Sequence, residues 1–174
     1  MADLNAERTR LRPAPTWDWA GVYESEGPSL ERYVRRLVGP AEARDLLQEC
    51  FIRAMSAERQ PPRREELRPW LYRIISNLAI DALRRRQRWR FLSLDHARSV
   101  QATSSMESEI VRSALSAIAP DQAVALVLRL HERLSRAEIA QTLGISEAAV
   151  KGRLVRGRLN FVEAYRRLGG GRRS

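Results

Sequence analysis

Apolar residues recur at spacings of three and four along most of the chain, which is the periodicity of amphipathic α-helices. In the segment 41–57, one such stripe consists of Ala43, Leu46, Leu47, Cys50, Phe51 and Ala54. No segment alternates apolar and polar residues for the length of a strand. The pattern therefore predicts an all-α protein. The predicted helices cover residues 17–38, 41–57, 69–88, 109–117, 121–130, 136–142 and 147–167.

Glycine and proline divide these helices. Gly27 and Pro28 predict an interruption of the first helix, after which Ser29 serves as the N-cap of a segment over Leu30–Leu37. Pro61, Pro62 and the charged run 63–68 predict a loop. Pro69 is then the first residue of the next helix, a position where its missing N–H costs nothing.

The helical periodicity fails between residues 91 and 108, where Ser, Thr, Ala and Gln dominate. This composition predicts a flexible linker between two small helical domains, of residues 17–90 and 109–168. Residues 1–16 and 169–174 are predicted to be disordered tails.

The formal net charge of +10 favours a polyanionic partner, most often nucleic acid. Lys151 is the only lysine, so arginine, which forms bidentate contacts with phosphate and guanine, supplies the positive charge. Codon usage in a GC-rich genome is an alternative explanation for the excess of arginine over lysine, but not for the net charge. An apolar run of about 20 residues and a signal peptide are both absent, which predicts a cytoplasmic protein without membrane insertion.

Little in the sequence points to an enzyme. Cys50 belongs to an apolar stripe and is predicted to be an inert core residue. It does not combine with His96 and His131 into the spacing of a zinc site, so no metal, cofactor or catalytic residue is expected. Asp45 and Glu49, one helical turn apart, are only a weak candidate for a metal pair. A recombinase or nuclease is therefore disfavoured.

Residues 135–158 have the signature of a helix-turn-helix that binds double-stranded DNA. Ser135 and Glu138 form a capping box, and Gly144 can adopt the positive φ of a sharp turn. Ser146 caps the second helix, which Val150 and Leu154 anchor. Its other face is predicted to lie in the major groove and consists of Ser146, Glu147, Ala148, Lys151, Arg153, Arg156 and Arg158. Gly152 and Gly157 are unexpected inside this helix, where each costs about 1 kcal/mol relative to alanine.

The predicted helix 69–88 carries a second polar row. Its residues recur at spacings of three and four: Arg73, Asn77, Asp81, Arg84 and Arg88. The row is about 22 Å long at ~1.5 Å per residue, enough to follow roughly two-thirds of a DNA turn.

These motifs together resemble a bacterial sigma factor. ARDLLQECFIRA (Ala43–Ala54) followed by LRPWLYRIISNLAIDALRRRQR (Leu67–Arg88) resembles sigma region 2, and residues 110–168 are similar to region 4. With only these two regions and a short linker, the chain resembles the extracytoplasmic-function (ECF, group IV) type. The resemblance covers residues 17–90 and 108–168. It implies a factor that binds core RNA polymerase, recognises the −35 and −10 promoter elements and assists promoter opening.

The resemblance also implies roles for individual residues. Contact with the clamp of the polymerase's largest subunit is expected from Asp45, Gln48, Glu49, Ile52 and Arg53. Binding of the −10 element is expected from Arg73, Asn77, Asp81, Arg84, Arg85 and Arg88. Binding of the −35 element is expected from the major-groove face of the second helix of the helix-turn-helix: Ser146, Glu147, Ala148, Lys151, Arg153, Arg156 and Arg158.

Aromatic residues near the −10 row are candidates for stacking on bases. They are Trp70 and Tyr72, of which Trp70 is the better candidate for the core, and Trp89 and Phe91, which are expected to be accessible. The implied partners are promoter DNA, the clamp, the flap of the second-largest subunit and an anti-sigma factor. The alternative is a conventional helix-turn-helix repressor or activator that acts without core polymerase.

Overall fold

A computed structural model describes residues 17–92 and 106–169. Within these ranges it contains seven helices and no strand, which confirms the all-α prediction. The helices are α1 (Trp19–Val38), α2 (Pro40–Ser56), α3 (Arg64–Leu92), α4 (Met106–Ala117), α5 (Pro120–Leu130), α6 (Arg136–Leu143) and α7 (Glu147–Arg167).

Helices α1, α2 and α3 pack on one another around a common core. Leu30 and Leu37 of α1, Cys50 of α2 and Ile75 of α3 are fully buried in it. The Tyr33 hydroxyl is also buried and forms a 2.8 Å hydrogen bond with the Ser76 hydroxyl, so neither polar group is left unpaired. The apolar stripe predicted for residues 41–57 is the side of α2 that faces this core.

The predicted break at Gly27 and Pro28 is wrong, because α1 is continuous across both residues. Val22 before them and Leu30 after them are buried in the same core. This packing outweighs the roughly 3 kcal/mol that a proline costs inside a helix. Ser29 consequently caps no helix, and its hydroxyl accepts a hydrogen bond from Arg32 instead.

Helix α3 begins at Arg64, so the predicted loop over residues 63–68 is wrong and Pro69 lies inside the helix. Glu65 and Glu66 in the first turn favour this start, since carboxylates interact well with a helix N-terminus. Leu67 in the same turn is 2% exposed and anchors it to the core. The last residues of α3 and the first of α4 also extend into the predicted linker. The rest of that linker, residues 93–105, and residues 1–16 and 170–174 of the predicted tails lie outside the described residues.

Helices α4 to α7 form the second unit, in which α5 is central. Val124 and Leu128 of α5 are fully buried. Gly157 of α7 is packed against α5, and a Cβ added there would lie 3.1 Å from the Gln122 Cβ. This close approach explains one of the two unexpected glycines.

The two units are in contact with each other. The Tyr72 hydroxyl of α3 donates a 2.7 Å hydrogen bond to Glu132, just after α5. The Gln87 side-chain amide donates to the carbonyl oxygens of Ser116 and Ile118, at 3.1 and 2.8 Å. In addition, buried apolar residues of both units form one continuous cluster.

Candidate nucleic-acid and polymerase interfaces

Helices α6 and α7 form the predicted helix-turn-helix. The Ser135 hydroxyl accepts from the Glu138 N–H at 3.2 Å, and the Glu138 carboxylate accepts from the Ser135 N–H at 2.7 Å. The Ser135 side chain and backbone N–H both hydrogen-bond the Glu138 carboxylate, and they lower the pKa of this carboxyl because they favour its ionised form. Gly144 has a φ of +66° at the turn, and the Ser146 hydroxyl accepts from the Ala149 N–H at 3.2 Å. The predicted capping box, turn glycine and N-cap are thus confirmed.

The predicted DNA-binding face of α7 is largely open to solvent. Six of its seven residues are exposed: Ser146, Glu147, Ala148, Lys151, Arg156 and Arg158. Arg153 is the exception, because its guanidinium lies 3.1 Å from the Asp121 carboxylate and only 24% of its side chain is exposed. Arg153 is therefore less accessible than the other six predicted residues. Its side chain would have to leave this ion pair to reach DNA.

The predicted −10 row lies along one exposed side of α3. All six of its residues are exposed: Arg73, Asn77, Asp81, Arg84, Arg85 and Arg88. Arg85 donates to Glu42 of α2 at 2.9 Å. The neighbouring Arg86 donates to the same carboxylate at 2.8 Å and to the Val38 carbonyl at 2.9 Å. Arg86 thus links this end of α3 to α1 and α2. It was not among the residues that the helical periodicity predicted.

The aromatic candidates of α3 have different surroundings. Trp89 is 64% exposed at the end of the row, as predicted, and Trp70 is half-buried against the core. Tyr72 is 3% exposed, so the idea that it stacks on bases is wrong. Its ring faces Tyr33, and burial raises its pKa, which keeps the phenol protonated. The side chain of Phe91 lies outside the described residues.

The two predicted DNA-binding surfaces meet at one point. The Arg73 guanidinium lies directly against Gly144, and a Cβ added at this glycine would collide with it. The positive φ of the turn is what requires glycine at position 144, because the Arg73 guanidinium is at the end of a long exposed side chain that could move aside. The start of the −10 row is therefore beside the turn of the helix-turn-helix.

The predicted polymerase-binding residues share the solvent side of α2. Asp45, Gln48 and Arg53 are exposed, and Arg53 pairs with the half-exposed Glu49 at 2.7 Å. Ile52 is 55% exposed beside them. Two further exposed apolar residues of this region, Met55 (41%) and Tyr23 (47%), lie outside the predicted set. The Tyr23 ring packs against Phe51 of α2, at 4.9 Å between centroids. Met55 was detectable as an apolar residue outside the buried stripe.

Other kinds of site have no support within residues 17–92 and 106–169. No group of three or more His, Cys, Asp or Glu residues there is arranged to hold a metal ion. No helix in these ranges is long and apolar enough to span a membrane.

Comparisons with known proteins identify the family. Residues 22–89 match the family described as Sigma-70 region 2, and residues 108–160 match Sigma-70, region 4. The chain is 31% identical over 146 residues to the ECF RNA polymerase sigma factor SigW of Bacillus subtilis, a match that covers 71% of this chain and 75% of SigW. The chain belongs to the ECF type of RNA polymerase sigma factors. As such it is a factor for promoter-specific transcription, and sigma factors as a class are not enzymes.

Another ECF sigma factor, SigE of Mycolicibacterium smegmatis, is 35% identical to this one over 157 residues. That match covers 83% of this sigma factor but 59% of SigE, so the chain spans less than two thirds of this relative.

Two solved structures have the same fold. CnrH in complex with the cytosolic domain of CnrY has a TM-score of 0.61 and 26% identity, covering 83% of this sigma factor and 85% of that chain. The sigma factor RpoE of Bartonella quintana, in complex with the anti-sigma factor NepR, has a TM-score of 0.63 and 20% identity. The match covers 86% of this chain and 97% of the RpoE chain.

Proposed function

We propose that this ECF sigma factor binds core RNA polymerase through the exposed side of α2 and reads its promoter through α3 and the first half of α7. The observation that carries this proposal is that one chain exposes two arginine-bearing rows on separate helices, in addition to a polar row on α2. Each row is backed by a buried apolar stripe of the same helix, so most of these side chains are exposed to possible partners.

The −35 element is assigned to α7. Ala148 is small and exposed at the start of this helix, next to Glu147, which permits close approach to base edges in the major groove. Lys151 and Arg158 are exposed on the same side and can neutralise phosphates. Binding by this segment alone is expected to be modest and strongly dependent on salt.

The −10 element is assigned to the row on α3. Its arginines supply phosphate contacts, and Asn77 has an amide suited to adenine. Trp89 offers an exposed aromatic face at the end of the row, on which an unpaired base can stack. Stacking on an exposed base offsets part of the few kcal/mol required to unstack it, which is how this row would assist promoter opening.

The polymerase contact is assigned to α2. Asp45 and Gln48 offer acceptors to a basic partner, and Ile52 supplies an apolar contact at the centre of the patch. The clamp of the largest subunit is the partner proposed for this patch, and the flap of the second-largest subunit is the partner proposed for the region 4 unit. An anti-sigma factor is a further proposed partner, because the solved RpoE structure is a complex with the anti-sigma factor NepR. With these partners, the proposed role is that of a non-enzymatic factor that acts in the cytoplasm.

Transcription in vitro with core polymerase and genomic DNA fragments tests the proposal. The wild-type chain is expected to produce transcripts with discrete start sites that share −35 and −10 sequences. The double variant Asp45→Arg, Gln48→Arg should lose both core binding and these transcripts. The matched control is Glu24→Arg, a charge reversal at an exposed residue of α1 outside all three rows, and it should behave as wild type.

Stable core binding without any promoter-dependent transcript would contradict the proposal. A symmetric footprint on DNA in the absence of polymerase would instead support a conventional helix-turn-helix regulator.

A further inference from the structure

The first turn of α5 holds one side of α7 at three points. The Asp121 carboxylate lies 3.1 Å from the Arg153 guanidinium. The Gln122 side-chain oxygen accepts a 2.9 Å hydrogen bond from the Asn160 amide. Between these two pairs, Gly157 brings the backbone of α7 close to the Gln122 side chain. The spacing of four and three places all three positions on one side of α7, so two directional contacts flank the close approach at the glycine.

These directional contacts restrict how α7 can turn about its own axis. Apolar contacts such as those of Val150 and Ala164 tolerate small displacements, whereas a hydrogen bond weakens steeply when its length or angle changes. A rotation of α7 by about 20° would move a side chain at its surface by roughly 2 Å. This displacement is more than a hydrogen bond with a base edge tolerates. The two polar pairs therefore help to fix which residues of α7 point outward.

Asp121 is itself held in place by its own helix. One of its carboxylate oxygens accepts from the Gln122 N–H at 3.0 Å, which leaves the other oxygen for Arg153. Pro120 begins this helix, and Gln122 is 9% exposed. The side chains of Asp121 and Arg153 are 35% and 24% exposed, and a partly buried ion pair is screened by salt less than an exposed one. The pair therefore joins two fixed elements.

The same ion pair keeps the charge of one arginine away from DNA. Lys151, Arg156 and Arg158 are exposed on α7, whereas Arg153 is neutralised by Asp121. A free arginine at this position would add a phosphate contact that carries no sequence information. Asp121 therefore limits non-specific binding.

We propose that Asp121 and Gln122 are positioning residues for recognition of the −35 element: together they set the rotation of α7, and Asp121 withholds Arg153 from phosphates. The proposal rests on the assignment of α7 to the −35 element. It differs from a purely structural role in one measurable respect. Loss of fold stability alone weakens all DNA binding by the same factor, whereas loss of positioning weakens specific binding and strengthens non-specific binding.

Fluorescence anisotropy with the full-length chain and two labelled duplexes tests the proposal. One duplex carries the −35 sequence shared by the transcripts of the wild-type chain, and the other carries a scrambled sequence of the same composition. Asp121→Asn should lower the ratio of the two affinities at least about fivefold. It should also tighten binding to the scrambled duplex, and the slope of log affinity against log salt concentration should steepen by about one. Arg153→Gln should lower the same ratio but leave the slope unchanged.

The matched control is Glu163→Gln, the same loss of a carboxylate at an exposed residue of α7, and it should keep both the ratio and the slope. Equal weakening of both duplexes by Asp121→Asn, with an unchanged slope, would overturn the proposal. So would a slope that falls by about one in Arg153→Gln, because Arg153 would then contact a phosphate in the wild type.

The wild-type chain separates this proposal from the proposed function. If it did not distinguish the two duplexes, the assignment of α7 to the −35 element would itself be wrong. A wild-type preference that survives both substitutions would contradict only the positioning role.

Discussion

The two glycines inside α7 have different surroundings. At Gly157, an added Cβ would lie 3.1 Å from the Gln122 Cβ and 3.3 Å from Leu126 side-chain atoms, which belong to the packed interior of α5. At Gly152, the nearest atoms are the guanidinium nitrogens of Arg156, at 3.3 Å. These nitrogens are at the end of a long exposed side chain that can move aside. Only Gly157 is therefore required by packing.

Alanine substitutions separate these two cases. Gly152→Ala should raise the free energy of unfolding by up to about 1 kcal/mol, because alanine favours the helix. Gly157→Ala gains the same helix propensity but overpacks the contact with α5, which typically costs about 1–3 kcal/mol. It should therefore be neutral or destabilising. Urea unfolding followed by circular dichroism measures both, and equal stabilisation by the two substitutions would contradict the packing argument.

Cys50 is predicted to be chemically inert in the native protein. It is fully buried, its thiol lies 3.7 Å from the Leu71 carbonyl oxygen, and burial raises its pKa to about 12. The nearby Arg53 lowers this pKa only in part. Since the thiolate is the reactive form, labelling by an aromatic disulfide reagent at pH 8 should be at least about a hundredfold slower than in the urea-unfolded chain. Labelling at the unfolded rate would show that Cys50 is accessible.

Helix α6 has only eight residues, so its capping box contributes a large share of its local stability. Ser135→Ala should lower the free energy of unfolding by about 1 kcal/mol at pH 7. The matched control is Ser29→Ala, inside α1, which should change it by less than about 0.5 kcal/mol. A similar loss in both variants would argue against a capping role.

The same capping box has a pH dependence whose sign follows from Glu138. Folding lowers the pKa of this carboxyl, so its contribution to stability is complete above the ordinary carboxyl pKa and is lost as the pH falls through the lowered value. Glu138→Gln should accordingly destabilise the protein at pH 7 and differ less from wild type in acid. Urea unfolding of both proteins across the pH range from neutral to acidic measures this, and a constant difference would contradict it.

The helices that were predicted well are those whose ends depend on local chemistry. Ser135, Gly144 and Ser146 mark the ends of α6 and α7 by hydrogen bonds or backbone conformation within a few residues. The errors at Pro28 and Pro69 have the opposite origin, because burial of Val22, Leu30 and Leu67 in the assembled core outweighs a local penalty.

Partners distant in the sequence account for the other differences in the candidate sites. Helical periodicity placed the polar rows of α2 and α3 on the correct sides of their helices. It had no information on the Asp121 carboxylate that pairs with Arg153, or on Glu132, which accepts a hydrogen bond from Tyr72 across 60 residues of sequence. Such contacts depend on the packing of whole helices, which no local pattern specifies.

The packed arrangement of the two units limits what the molecule can bind. The −10 row begins at Arg73, whose guanidinium contacts Gly144 beside the −35 surface. The names of the −35 and −10 elements place them about 25 base pairs apart, which is roughly 85 Å of DNA at ~3.4 Å per base pair. One chain cannot contact both elements while these residues touch. Under the assignments proposed for α3 and α7, the two units must separate when the whole promoter is bound, and contacts between them oppose that step.

The hydrogen bond between Tyr72 and Glu132 is one such contact, and its removal should favour the open form. Tyr72→Phe keeps the buried ring but loses a bond that contributes about 1 kcal/mol, equivalent to roughly a fivefold shift of the equilibrium. The radius of gyration from small-angle scattering should increase. The factor concentration that gives half-maximal transcription with core polymerase should fall by up to about fivefold. Tyr33→Phe is the matched control, because it removes a hydroxyl bonded to Ser76 within one unit and should leave both quantities unchanged. If the two variants behaved alike, the contact between the units would have no part in promoter binding.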